Sequence, residues 1–329
     1  MRTESNLTCG GTYPGYVRVM RIPTPCGPVS QAVHDHLTTL RPLPDLPDVP
    51  APTTRDHALA LWTLYELAYR GFDGVDPDLE WSPEVLRLRN RLGRDLEAWL
   101  REAFATSTGP RDLAGLVEAD SDVPGVARFV RESADADDVR RILVQRSIYH
   151  LKEADPQCFV LPRLGNAAKA GLAELQYDEL GDGQADRLHA HLFERAMEAA
   201  GLDPTYGAYV DEASEETLTL SNAMSLLCLH RRLRHAALGH LAAFEATSSL
   251  PSADMVHGLR RLGFDETVAL YYDEHVEADA VHEHLARTLC ELETGGDPQL
   301  EDEVGFGAFV CVFVEDRCAV DLLGAPVPA

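Results

Sequence analysis

The chain has 329 residues, enough for one large or two ordinary domains with a substantial core, and its 45% hydrophobic and 25% charged content is ordinary for a folded protein. Its formal net charge of −25 argues against nucleic acid or an anionic membrane surface as the main partner. No apolar run approaches the roughly 18 residues of a membrane span, and the first residues lack the apolar segment of a signal peptide. The seven cysteines are scattered and form no CxxC pair, so we expect a reducing, cytoplasmic setting.

The N-terminal segment differs from the rest of the chain. Residues 1–55 are predicted to form a proline-rich arm, because five prolines lie between 42 and 52, too many for a helix or a central strand. Both an extended polyproline segment on the surface and a flexible linker fit this composition. Just before it, "GYVRVMRI" at 15–22 has the pattern of one short strand.

Amphipathic helical segments follow one another from residue 56 onward. We predict a helical extension over 56–135, with helices at 56–72 and 82–104, the second of which begins with Ser82 as N-cap and Pro83 in its first turn. Later helical segments are predicted at 123–132, 137–154, 163–180, 185–200, 215–249, 265–292 and 298–323. Since alternating strand patterns are nearly absent, we expect an all-α bundle with its main domain at 136–325.

One late helix carries an unusual polar stripe in "YYDEHVEADAVHEHLA", residues 271–286. With His275 at zero on a helical wheel, Asp279 lies at about 40° and His282 at about 340°, so the three share one face. A hydrophobic core would not favour two imidazoles and a carboxylate on an inner stripe. A bound metal ion would require such a set of side chains.

A metal on this helix needs further ligands from other helices. Upstream, Glu179, Asp186 and His189 are candidates, and Asp186 with His189 repeats the i, i+3 spacing of Asp279 with His282. Glycines on both sides of Asp182 are predicted to interrupt or kink the helix between them.

Glu153 is a further candidate, at the end of a helix that Pro156 closes. Three imidazoles and three or four carboxylates are too many for one zinc ion, and they suit two iron or manganese ions. On proximity alone, the residues that could orient these ligands are Tyr177, Tyr271, Tyr272 and Glu283.

These residues resemble the heme-oxygenase-like diiron oxidases, many of which are described as iron-containing redox enzymes. The resemblance covers about 140–325 and includes H-x-x-x-D-x-x-H on the late helix and the segments "YHLKEADP", "ELQYDELGDG" and "LRRLGFDE". It implies a seven-helix heme-oxygenase-like bundle that holds no heme, binds two iron ions (Fe²⁺/Fe³⁺) and activates O2. By the pattern of that family the ligands would be Glu153, Glu179, His189, His275, Asp279 and His282, with Asp186 as an extra carboxylate.

Several of these signals have a plainer interpretation. A solvated helix face could explain the late-helix stripe, and surface charge could explain Glu153, Glu179 and His189 taken alone. Arg231 and Arg234 could bind a substrate carboxylate, but ordinary salt bridges are the commoner role for arginine in a very acidic protein. Glu245 is interpreted as a surface or structural residue.

The functional hypothesis is an O2-dependent oxidase or oxygenase that acts on a small amine or amino acid by N-oxygenation in specialised metabolism and takes electrons from an external donor. Oxidative C–C cleavage or desaturation of a carboxylic or amino acid is the alternative within the class, and a non-catalytic iron-binding or iron-sensing bundle is the alternative outside it. Heme binding is disfavoured because Glu153 stands where the resemblance would need an axial histidine. Two roles stay open for the first 130 residues: capping the pocket and mediating a homodimer.

Overall fold

The computed structural model describes residues 20–43, 49, 51–120 and 125–324, and for residues 277–281 it describes the backbone alone. Within these ranges the chain is helical and contains no strand, which confirms the all-α prediction. Most of the predicted strand at 15–22 and three of the clustered prolines lie outside the described residues.

Thirteen α-helices, joined by short loops and 3₁₀ turns, make up the described part of the chain. They are α1 (Pro28–Thr39), α2 (Arg55–Glu66), α3 (Pro83–Thr106), α4 (Leu113–Asp120), α5 (Val126–Glu132), α6 (Ala136–His150), α7 (Asp155–Cys158), α8 (Asn166–Glu179), α9 (His189–Ala199), α10 (Glu215–Leu229), α11 (Arg234–Leu262), α12 (Glu266–Thr294) and α13 (Pro298–Leu323).

Helix α1 lies inside residues 1–55, which the sequence predicts to be a proline-rich arm without helices, so that prediction is wrong for Pro28–Thr39. Val29, Val33 and Leu37 recur at intervals of four residues and are buried, so they form one apolar stripe that packs α1 against α2. The hydrophobic core then runs without a break from this helix to α13, across the proposed boundary at residue 135. The N-terminal helices are therefore packed onto the rest of the molecule, and the domain boundaries stay a prediction.

The long helical pattern at 215–249 is two helices in the structure. Helix α10 ends at Leu229, a 3₁₀ turn covers Arg231–Leu233, and α11 begins at Arg234. The periodicity alone did not reveal this break, because apolar residues continue on both sides of it. The break leaves α11 free to pack lengthwise on α12 and α13.

Two glycines allow α11 and α13 to approach closely. A Cβ atom on Gly239 of α11 would lie 2.0 Å from the carbonyl oxygen of Val304, and one on Gly307 of α13 would lie 1.8 Å from that of Ala236. Any side chain at either position would overlap the opposite backbone, so the helices need glycine at both. This close contact fixes the position of α11 along the axis of α13. Helix α11 also packs along α12.

Helix α12 also packs on α8 and α9. These three helices all contain candidate ligands, so the packing brings the candidates close together. In the part of the chain that the structure describes, no helix combines the length and apolarity needed to cross a bilayer.

Candidate metal centre

A tight turn between α8 and α9 brings two candidate ligands together. Glu179 is the last residue of α8 and His189 is the first residue of α9, and His189 Nδ1 lies 2.9 Å from Glu179 Oε2. Between them the predicted interruption is confirmed: Gly181, Asp182 and Gly183 form a 3₁₀ turn, and all three have positive φ. A Cβ atom on Gly181 would lie 2.6 Å from the backbone of Arg187 and Leu188, so the chain folds back on itself only because this residue is glycine.

Glu153 and His275 complete a first cluster around these two residues. Glu153 lies in the turn between α6 and α7, and its Oε1 is 3.7 Å from His275 Nε2. The rings of His189 and His275 have their centroids 4.6 Å apart. One ligand atom from each of Glu153, Glu179, His189 and His275 lies within 4.8 Å of all the others, and all four residues are buried. We call these four residues the first cluster.

A second cluster shares Glu179 and adds Glu245 and His282. His282 Nδ1 lies 3.4 Å from Glu179 Oε1 and 3.4 Å from Glu245 Oε2, and all three residues are buried. Glu179 therefore directs Oε2 toward the first cluster and Oε1 toward the second. A carboxylate shared in this way is how bundle proteins join two metal positions.

Hydrogen bonds from neighbouring residues orient the side chains of both clusters. The Tyr271 hydroxyl donates to the Glu153 carboxylate, at 2.9 Å from one oxygen and 2.8 Å from the other. His275 Nδ1 donates to the Tyr271 carbonyl oxygen at 2.6 Å, which leaves Nε2 as the nitrogen on the cluster side. Likewise, His282 Nε2 donates to Asp178 Oδ2 at 3.3 Å and leaves Nδ1 toward Glu179 and Glu245. Metal-binding histidines commonly use their second nitrogen in this manner.

Burial and mutual proximity shift the pKa values of these groups. Burial raises the pKa of Glu153 to about 8, with the nearby Glu179 carboxylate adding to the effect, and burial raises that of Glu245 to about 7. Burial alone would lower the pKa of His189 and of His282, but the interaction with Glu179 in one case and Glu245 in the other outweighs it and raises each to about 9. Bound protons thus offset the negative charge of the buried carboxylates. A bound cation would displace these protons.

The donor geometry fits metal ions. The Nδ1 atoms of His189 and His282 are buried and lie 2.9–3.4 Å from carboxylate oxygens, without the alignment of a regular hydrogen bond. Nitrogen and oxygen atoms that converge in this way can act as ligands of one ion. A mixed set of imidazoles and carboxylates suits iron or manganese.

A small cavity of about 10 Å³ adjoins both clusters. This is on the order of the space for one water molecule, so it is far smaller than an amino acid. Apart from the ligands, its lining is largely apolar and includes Tyr149, Leu175, Leu241 and Phe244. The two clusters thus lie in a mostly water-excluding environment.

Not every residue proposed from the sequence lies at these clusters. Asp186 is exposed in the turn before α9, so it is not on a helix face with His189 and the structure does not bring it to either cluster. Tyr177 is 55% exposed and belongs to neither buried cluster. The Asp279 side chain lies outside the described residues, so its role as a ligand stays a prediction.

The two arginines considered for substrate binding lie elsewhere. Arg231 is exposed, and Arg234 Nε lies 3.9 Å from Glu293 Oε2. Neither lines the cavity at the clusters.

Two further residues were candidates for orienting the ligands. Tyr272 is buried, whereas Glu283 forms an ion pair with Arg287 at 2.8 Å on the half-exposed side of α12.

Glu245 and Asp178 are the residues that the sequence did not reveal. The interpretation of Glu245 as a surface or structural residue is wrong about the surface, since the side chain is 5% exposed and contacts His282. A usable signal was present: Glu245 is a lone carboxylate in the apolar run "LGHLAAFEA". Asp178 has no such signal, because its position depends on the packing of α8 against α12.

Comparison with known sequences decides the family. The profile of the family described as "Iron-containing redox enzyme" matches residues 140–316, more than half of the chain. The chain belongs to this family. Membership confirms the resemblance drawn from the sequence and places the chain among proteins described as iron-containing redox enzymes.

Two individual proteins are similar to this chain at low sequence identity. The nitrosourea synthase of Streptomyces achromogenes subsp. streptozoticus is 27% identical over 190 residues, which are 57% of this chain and 40% of that protein. The chain thus spans less than half the length of this relative. A CADD-like protein of unknown function from Nostoc punctiforme superimposes with a TM-score of 0.49 at 16% identity, over 72% of this chain and 99% of that one.

Proposed function

We propose that the protein is a non-heme diiron oxygenase that uses O2 to oxidise the nitrogen of a small amine or amino acid in specialised metabolism. The observation that carries this proposal is the position of Glu179, whose two oxygens face two different groups of buried ligands. Two adjacent ligand groups joined by one carboxylate provide for two ions, whereas a mononuclear site would need only one group.

The first iron would be held by Glu153, His189 and His275, with Glu179 shared. The second would be held by the other oxygen of Glu179, by Glu245 and by His282, and Asp279 is proposed as a further ligand there. When bound, the pair of irons supplies electrons for the reduction of O2 and so the oxidising power of the reaction. An external reductant must restore those electrons after each turnover.

The residues of the chain contribute geometry and environment. Tyr271 holds the Glu153 carboxylate through its hydroxyl and His275 through its carbonyl, so one residue fixes two ligands of the first cluster. Asp178 holds His282 in the same way at the second cluster. The apolar walls formed by Leu241 and Phe244 limit the access of water to the buried carboxylates.

N-oxygenation is favoured by the similarity to a protein whose name denotes synthesis of a nitrosourea, a compound that contains an oxidised nitrogen. A net charge of −25 is compatible with a cationic amine as substrate. The alternative, C–C cleavage or desaturation of a carboxylic or amino acid, would gain support from an arginine at the cavity. Arg231 and Arg234 do not provide one there.

The first experiment is an anaerobic titration of the metal-free protein with Fe²⁺, beside the variants His189→Ala and His275→Ala. Two equivalents of tightly bound iron in the parent protein, and loss of the first-cluster equivalent in both variants, are expected. One equivalent or none in the parent protein would contradict the proposal. O2 uptake by the loaded protein then separates an enzyme from a non-catalytic iron carrier, because a carrier consumes O2 once at most. Comparing the uptake with amines and with carboxylic acids separates N-oxygenation from the alternative.

A further inference from the structure

A buried lysine lies next to the first cluster and has no role in the ligand set. Lys152 precedes Glu153 and is only 2% exposed. Its Nζ donates to Oε1 of Glu66, the fully buried last residue of α2. The other oxygen, Oε2, accepts a hydrogen bond of 2.6 Å from the hydroxyl of Tyr206. Lys152 thus connects the turn that carries Glu153 to the N-terminal helices.

Arg70 forms a second connection to the same turn. Its Nη2 donates to the carbonyl oxygen of Leu151 at 3.2 Å, and its guanidinium lies 4.2 Å from the centre of the Tyr206 ring. Leu151 and Lys152, the two residues before Glu153, are therefore both held by residues at or just beyond the end of α2. We call Glu66, Arg70 and Lys152 the α2 clamp.

Two backbone hydrogen bonds shape this turn, from Lys152 N–H to the Tyr149 carbonyl at 2.9 Å and from Asp155 N–H to the Lys152 carbonyl at 3.0 Å, but no regular helix holds Glu153. Helix α6 ends at His150, and α7 begins only at Asp155, so Glu153 lies on an irregular stretch between them. A buried ion pair contributes little net stability, because removing two charges from water costs about as much as their attraction returns. Its clear physical effect here is to fix the place of the Lys152 backbone, and hence of the Glu153 side chain that follows.

We propose that the α2 clamp positions Glu153 for iron, so that the N-terminal helices set the metal affinity of the first cluster. The inference rests on the proposed function, since it takes Glu153 as an iron ligand. Glu66, Arg70 and Lys152 are positioning residues that act through the backbone at 151–153. The inference assigns a role to α2, which lies outside the residues matched by the family profile.

The test compares the charge-neutral double variant Lys152→Met/Glu66→Gln with the double variant Arg101→Met/Glu303→Gln. The control pair is also an ion pair, with contacts of 2.8 and 2.7 Å, and it joins α3 to α13 away from both clusters. Fe²⁺ is titrated anaerobically into each metal-free protein, and near-infrared circular dichroism records the ligand field of each bound ion. The thermal midpoint of each metal-free variant is measured in parallel.

In the clamp variant we expect the affinity of one iron equivalent to fall by about 10–100-fold, with a changed ligand-field signal, and the other equivalent to stay within about threefold. The control variant should keep both affinities. A folded clamp variant with both affinities and both signals of the parent protein would overturn the inference.

Two further outcomes are distinguishable. If the double variant does not fold, Arg70→Met removes the bond to the Leu151 carbonyl and the contact with the Tyr206 ring, and it leaves the Lys152–Glu66 ion pair in place. A loss of affinity at the first cluster of several-fold is then expected, and an unchanged affinity overturns the inference. If the parent protein itself fails to bind two irons, the proposed function is wrong and the inference falls with it.

Discussion

Replacing Gly181 by alanine tests how the turn between α8 and α9 brings Glu179 and His189 together. Gly181 has φ +71°, and its added Cβ would lie 2.6 Å from the carbonyl carbon of Arg187 and the nitrogen of Leu188. Carbon atoms in ordinary contact are about 3.5–4.0 Å apart, so the peptide must move by roughly 1 Å. Because His189 follows Leu188 directly, that movement would be passed to its side chain.

Gly183→Ala is the matched control. Its φ is +76°, and the nearest atom to its added Cβ is on the Tyr177 ring at 3.9 Å, so it has the same backbone strain without the overlap. The left-handed conformation alone costs alanine about 1–2 kcal/mol in both variants. The overlap at Gly181 adds about 1–3 kcal/mol of overpacking. Gly181→Ala should therefore lose about 2–5 kcal/mol of the free energy of unfolding, and Gly183→Ala about 1–2 kcal/mol.

Urea unfolding of the metal-free variants measures these losses, and an anaerobic Fe²⁺ titration measures the effect on the site. Gly181→Ala should weaken iron binding by about tenfold or more, since a displaced ligand costs metal affinity, while Gly183→Ala should stay close to the parent protein. Equal losses of stability and of iron affinity in the two variants would refute the reasoning. Backbone strain, and not the close approach to the Arg187–Leu188 peptide, would then explain both.

Three further predictions follow from single residues. Tyr271→Phe removes the hydroxyl that donates to the Glu153 carboxylate, a hydrogen bond of about 1.5–3 kcal/mol. The Fe²⁺ affinity in an anaerobic titration should therefore fall by about 10–100-fold. Tyr272→Phe should not change it. Glu245→Gln should weaken mainly one of the two iron equivalents in the same titration, and an unchanged affinity would exclude Glu245 as a ligand. Burial lowers the pKa of His240 from 6.5 to about 4, so the unfolded chain binds more protons between these values and stability falls as pH drops from 6.5 to 4. Urea unfolding at both pH values should show roughly 3 kcal/mol less acid destabilisation in His240→Gln, and an equal pH dependence would contradict this.

The helix-based part of the candidate site could be predicted from the sequence. Helix α12 runs unbroken from Glu266 to Thr294, so the angular argument that put His275 and His282 on one face holds, and both are buried toward the other ligands. They are seven residues apart, a rise of roughly 10 Å, and they belong to different clusters. Spacing on one helix therefore indicated the common face, but not the assignment of each histidine to a cluster.

The part that failed depended on turns and on tertiary packing. The pairing of Asp186 with His189 assumed a helix face, but α9 begins only at His189, so Asp186 lies in a turn and is exposed. Glu245 was missed for another reason: one carboxylate among alanines gives no spacing pattern, and only the packing of α11 on α12 brings it to His282. Local periodicity contains neither kind of information.

The proposed ligands lie at places where contacts away from the clusters can set their geometry. Glu153 lies in a turn, and Glu179 and His189 lie at helix ends, where one backbone group of each residue has no partner within the helix. Each such ligand needs an external constraint, and the structure provides the α2 clamp for Glu153 and the fold at Gly181 for the other two. Burying several charged groups in an apolar region is costly, so their relative positions must come from a frame that is rigid before metal binds. On this view the N-terminal helices, which contain no proposed ligand, are part of what makes the metal centre.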